Sequence, residues 1–155
     1  MGEPEADSKV VAHLNDGRVL KGFLRDQSRR DIDLVDRFPG PMPARVQLHD
    51  PQTDKPLDLD LEKTKALFFV KSFEGRTDYR EVKFFETNPP NEGLWVRVKF
   101  RDNETTEGVV RNSVEWIVHP GFFLKPPDPL SNNKMVYVVK KSLMDFRILA
   151  VRSTY

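Results

Sequence analysis

The chain has 155 residues, of which 38% are apolar and 32% charged, with a formal net charge of +1. That length accommodates one ordinary domain or two small ones, and the balanced total removes the global charge signal of a nucleic-acid binder. With no cysteine, disulfides, thiolate metal sites and thiol nucleophiles are excluded.

Residues 1–8 read as a disordered tail, too polar and acidic for a signal peptide. Lys9–Leu14 alternates, with Val10, Ala12 and Leu14 on one side, and predicts a strand. Asn15-Asp16-Gly17 is a hairpin turn signal, and Val19–Arg25 is the return strand. Gly22 in its middle marks a bend or a close backbone approach, the curvature a small barrel needs in order to close. After the polar turn Asp26–Arg30, the segment Asp31–Asp36 predicts a third strand with Ile32 and Leu34 on one face. A Pro-rich excursion spans 37–56, with a short strand at Arg45–Leu48. Leu57–Leu61 alternates strictly, with Leu57, Leu59 and Leu61 facing in. Ala66–Val70 is the longest purely apolar run, far short of the roughly 20 residues that span a bilayer.

The first hairpin then occurs again. Shifting Val10–Asp26 by 86 residues superimposes it on Val96–Asn112, placing Gly22 on Gly108 and Arg25 on Arg111. Strands are predicted at Trp95–Arg101, Thr105–Arg111, Gly121–Leu124, Met135–Val139 and Met144–Val151. In the later part the offset is 79, so the first copy carries seven extra residues between its second and fourth strands. The expected fold is all-β: two tandem small antiparallel β-barrels over 9–70 and 94–155, joined by a segment at 71–93. The aromatics of that segment, Phe73, Tyr79, Phe84 and Phe85, predict that it packs against the repeats. Residues 1–70 carry 11 Lys/Arg against 13 Asp/Glu and residues 94–155 carry 10 against 6, so the second repeat is the more basic.

Chemistry-bearing patterns are sparse. His13, His49 and His119 lack metal-ligand spacing, no serine sits in a nucleophile elbow, and Asp58/Asp60 read as the wet face of a strand. We therefore expect no catalytic residue, no metal and no cofactor. The basic residues at turns are the candidate ligand site: Arg25, Asp26, Ser28, Arg29 and Arg30 after the second strand, Arg76 and Arg80 in the linker, and Arg111 with Asn112 in the second copy. An arginine fork suits phosphate, although local acids such as Asp26, Asp31 and Asp78 could instead engage these side chains. Trp116, in the loop NSVEWIVHP, is the candidate for stacking on a base or meeting a partner.

Two family resemblances rest on these residues. Asp26-Gln27-Ser28 after a strand, with Arg76 and Arg80 spaced Arg-x-x-x-Arg ahead of the second copy, resembles the two signatures of PilZ domains; Asp31 stands where that pattern has Gly. The resemblance implies a regulatory barrel that binds cyclic di-GMP or acts through protein contacts. The hairpin V-x-A-x-L-x-D-G-R-x-L-x-G-F-L is similar to the first half of an Sm-type motif, which implies single-stranded RNA as the ligand. The double copy as a whole also resembles bacterial domains of unknown function. The expected role is a non-catalytic, cytoplasmic binding or regulatory module with a protein partner and no membrane insertion. Its alternatives are an Sm-like RNA binder and a structural adaptor that recruits a partner at exposed strand edges.

Overall fold

A computed structural model of the chain describes residues 7–25, 42–75, 83–84, 93–113 and 115–152; the side chains of 115, 116 and 152 fall outside that description. The first repeat contributes β1 (Asp7–Leu14), β2 (Val19–Arg25), β3 (Arg45–His49), β4 (Pro56–Asp60) and β5 (Thr64–Val70). The second contributes β6 (Gly93–Phe100), β7 (Thr105–Val110), the single turn α1 (Glu115–Val118), β8 (Gly121–Leu124), β9 (Asn133–Val139) and β10 (Leu143–Arg152). One 3-10 turn precedes the last strand of each repeat, at Leu61–Lys63 and at Lys140–Ser142. The all-β expectation holds. The strand expected at Asp31–Asp36 lies outside the described residues.

The repeat extends to single hydrogen bonds. Leu14 N donates to Arg18 O and Gly17 N to Leu14 O; Phe100 N donates to Glu104 O and Asn103 N to Phe100 O. Gly17 (φ 94°) and Asn103 (φ 75°) take the same left-handed position, which Gly and Asn tolerate better than other residues. Phe23 pairs with His49 in one repeat and Val109 with Lys125 in the other. The offset is therefore 76 at the third strand and 79 from the fourth. The first repeat has ten more residues between its second and third strands, the second has three more between its third and fourth, and the difference is the seven evident in the sequence.

Two antiparallel sheets result. The larger has the order β4-β3-β2-β1-β5-β9-β8, the smaller β10-β6-β7. The repeats are thus interleaved: β8 and β9 pair onto the end of the first repeat's strands, with Leu67 opposite Tyr137 and Phe69 opposite Met135. Side chains on β5, β9 and β8 alternate between two cores because successive residues of a strand face opposite ways. Leu67, Phe69, Phe123, Met135, Tyr137 and Val139 join Val10, Ala12, Leu48 and Leu59 in one core. Ala66, Phe122, Leu124, Val136 and Val138 join Leu94, Val96, Val98, Phe100 and Val110 in the other. The larger sheet must curl to bring β1–β4 over β8 and β9, since both ends of it supply the first core.

Gly22 and Gly108 mark close approaches between strands. A Cβ at Gly22 would lie 2.8 Å from Leu48 Cβ and 2.9 Å from His49 O; at Gly108 it would lie 2.2 Å from Leu124 Cδ2 and 2.7 Å from Lys125 O. The third strand of each repeat crosses onto the second there. The described part of the linker packs only in part: Phe73 meets Phe23 edge-on at 5.3 Å, Lys21 Nζ donates to Phe73 O at 3.0 Å and Glu107 N donates to Lys83 O at 2.9 Å, whereas Phe84, also expected to pack, is 44% exposed; Tyr79 and Phe85 lie outside the described residues.

Candidate functional site

Of the residues singled out in the sequence, Arg25 is the best defined. It closes β2, its Nε lies 3.5 Å from Asp7 Oδ2, and Nη2 meets Asp54 Oδ1. Asp54 is carried by a tight turn at φ 61°, built on Asp50 Oδ1, which accepts from Gln52 N at 2.8 Å and Thr53 N at 3.0 Å. The amides of Thr53 and Gln52 hold the Asp50 carboxyl below the usual range. Arg25 is therefore engaged by two acids from its own repeat. Its counterpart Arg111 follows β7 and is exposed, as is Asn112. β2 and β7 belong to different sheets, so the pair is related by the repeat and not by shared membership of one surface strand pair. The backbone of Trp116 forms part of α1. Asp26, Ser28, Arg29, Arg30, Arg76 and Arg80 lie outside the described residues. Among the described residues no group of three or more His, Cys, Asp or Glu could hold a metal ion, and no helix is long and apolar enough to cross a membrane.

Two features emerge that the sequence did not single out. The first is a cleft of about 480 Å³ where the two hairpin turns meet the second 3-10 turn, lined by Leu14, Asn15, Lys65, Phe100, Asp102 and Lys141 among others. Lys65 is its anchor. Its residue surface is 9% exposed, its Nζ donates to Asp102 Oδ2 at 2.7 Å and to Glu104, and it sits 4.6 Å over the Phe100 ring. Burial disfavours the ammonium, but the two carboxylates outweigh it and raise its pKa. Burial likewise opposes the Glu104 charge, and Lys65 and Lys83 reverse the balance, so Glu104 titrates low. Asp102 is lowered chiefly by its hydrogen bond from Lys65. A polar network here joins β5 of the first repeat to the β6–β7 turn of the second.

His13, on β1 beside this network, packs edge-on against Phe68 at 4.7 Å. Its pKa is lowered, first by burial and then by Lys65. The unfolded chain therefore takes up the His13 proton first. Stability should be full above about pH 6.5, decline as the pH falls below it, and level off once the folded-state pKa is passed. Thermal melts between pH 7.5 and 5 check this; H13Q should lack that limb, and an unchanged limb in H13Q refutes the assignment.

The second feature is the outer edge of β10. Counted by the repeat, β10 corresponds to β5. β5 has β1 on one side and β9 on the other, and Phe69 and Val70 are 0% and 3% exposed. β10 has β6 on one side and, among the described residues, no strand on the other. Ile148 and Leu149, the counterparts of Phe69 and Val70, are 47% and 37% exposed, and Met144 and Val151 are 55% and 63% exposed. Phe146, Ile148 and Val151 stand opposite Val98, Val96 and Leu94, so they continue the core-facing side of the smaller sheet into the open. The ends at β7 and β8 approach each other through the Val109–Lys125 bridge. The end at β4 carries Pro56 and the charged Asp58 and Asp60, with Asp58 paired to Gln47 at 3.1 Å. Proline, charge and bulges are the usual protection of an edge; β10 shifts register at Met144 and Leu149, and the stretch between them has one acid and one base beside Phe146 and Ile148.

Comparison with known protein families gives a match to a family described as being of unknown function (DUF6982), whose profile covers residues 6–150. No curated protein and no solved structure matches the chain.

Proposed function

The chain belongs to the DUF6982 family of unknown function, and from its geometry we propose that it is a non-catalytic interaction module that captures an extended protein segment along β10. The observation that carries this reading is the contrast between β5 and β10. The same strand position is sealed by β9 in the first repeat and, among the described residues, open in the second, with Ile148 47% exposed where Phe69 is 0% exposed. Strand addition at such an edge draws affinity from main-chain hydrogen bonds and specificity from alternate side chains. The two tandem barrels expected from the repeat are instead two sheets that share the strands of the second repeat, and β9 on β5 is the intramolecular precedent for what fills such an edge. We place recognition at β10 and not at the arginines because Arg25 already faces Asp7 and Asp54. A phosphate ligand would have to displace both.

The test uses a labelled peptide with the sequence of residues 133–139, the strand that occupies the equivalent edge of β5. It should bind the chain and slow hydrogen exchange at the amides of β10, and I148K should abolish both effects without unfolding the protein. Absence of binding to a monomeric chain, or protection elsewhere than β10, would sink the reading.

A further inference from the structure

The residues of β10 also indicate which strand fits its edge. From Leu143 to Leu149 the sequence is Leu-Met-Asp-Phe-Arg-Ile-Leu. Reversed about Phe146, it matches itself in chemical kind: Leu143 with Leu149, Met144 with Ile148, Asp145 with Arg147. An antiparallel pair with a two-fold axis at Phe146 would place those residues directly opposite one another. Every apolar side chain would meet an apolar one, and each acid would face a base. The ladder with β6 shifts register at Met144 and at Leu149, so the regular stretch of the edge is Asp145–Ile148, and within it Phe146 and Ile148 of both copies would share the core-facing side.

Charge supports this occupant over the β4 edge of the molecule. Asp145 is half-buried and Arg147 exposed; they pair with each other within the strand at 2.8 Å, opposite Lys99 and Arg97 of β6, and a facing copy would offer each the opposite charge in exchange. Joining β10 to β4 of another copy in the register of β5 with β9 would set Asp145 opposite Leu59 and Arg147 opposite Leu57. Leu59 is buried in its own core and Leu57 packs against it, so that arrangement drives two charges toward an apolar interior at high cost. Pro56, within β4, has no N–H to donate.

We propose that a second copy of this chain occupies the β10 edge, as an isologous antiparallel pairing of β10 with β10 centred on Phe146. This rests on the reading that β10 accepts a strand, and it names the strand. The arrangement joins the two smaller sheets into one of six strands, β7-β6-β10-β10-β6-β7, and covers Met144, Ile148 and Leu149 on each side. The two-fold closes the assembly, since among the described residues each β10 has one edge without a strand.

Light scattering over a concentration series of the full chain should give twice 18.0 kDa. R147D places acid opposite acid and D145R places base opposite base, so each should weaken the dimer at least tenfold. Mixing the two variants should restore a heterodimer, and the double variant D145R/R147D should dimerise with itself. Thermal melts of each variant establish that it is folded; loss of one exposed pair alters stability by about 1 kcal/mol or less. A wild-type monomer at every concentration overturns the proposal, as does a dimer that neither reversal weakens, or single reversals that weaken it without rescue on mixing. If the wild type is monomeric and still binds the 133–139 peptide at β10, the edge serves another protein and only the self-pairing fails. If the wild-type chain, diluted until it is monomeric, does not bind the peptide, the strand-addition reading itself fails.

Discussion

Replacing Gly108 with alanine should cost about 3 kcal/mol, read as a lower urea midpoint at unchanged m-value. The added Cβ would lie 2.2 Å from Leu124 Cδ2, 2.5 Å from Leu124 Cγ and 2.7 Å from Lys125 O. Leu124 is 1% exposed in the second core and close-packed interiors yield little room. The carbonyl is the firmer obstacle. Lys125 and Val109 exchange hydrogen bonds of 2.9 and 3.0 Å, and this bridge is what connects β7 to the strand after it. Moving Lys125 O away from the new methyl strains the bridge. Gly22→Ala should cost less, about 2 kcal/mol, because its nearest contacts are 2.8 and 2.9 Å. A G108A protein within about 0.5 kcal/mol of wild type, the range of an ordinary surface substitution, would show that β8 does not cross β7 so closely.

Lys65→Met should cost about 2 kcal/mol at neutral pH. Breaking a fully buried ion pair costs roughly 3–5 kcal/mol; the figure is discounted because Asp102 and Glu104 are 56% and 34% exposed and water screens them. Methionine keeps the apolar stem and removes the ammonium, leaving Glu104 with Lys83 at 3.0 Å and Asp102 without its Lys65 donor. The pH dependence separates this from a packing effect. In the wild type the folded-state pKa values of Asp102 and Glu104 are depressed, so their contribution is present above the unfolded values near 4 and is lost as the pH falls through the folded ones. In K65M that depression is largely relieved. The gap between variant and wild type should therefore be widest at neutral pH and shrink at lower pH, in melts taken from pH 7 to pH 3. A gap that stays constant across that range would assign the loss to packing.

Much of the fold is legible in the amino-acid sequence. Strict alternation at Leu57–Leu61, the Asp-Gly turn at 16–17 and the 86-residue offset all place strands that are found, because strand period and turn chemistry are local properties of the chain. The offset also locates the seven-residue difference, though it takes the Phe23–His49 and Val109–Lys125 pairs to divide it into ten and three. Gly22 and Gly108 read as points of strand curvature; the structure adds that a neighbouring strand passes over each. The site is far less legible. Lys65 is one of many lysines in the sequence, and only the contact of β5 with the β6–β7 turn buries it. That β10 has no second strand among the described residues leaves no mark either, since Met144–Val151 reads like any other apolar strand.

The sequence by itself determined the strand class, the repeat, the turns and which side of each strand is apolar, since these depend on residues a few positions apart. Only the tertiary structure decided which strands become neighbours. Pairing β9 with β5 buries Met135, Tyr137 and Phe69 together and leaves β10, the repeat counterpart of β5, without a second strand among the described residues. That choice rests on apolar surfaces more than 60 residues apart in the chain. The edge where we place recognition is its consequence.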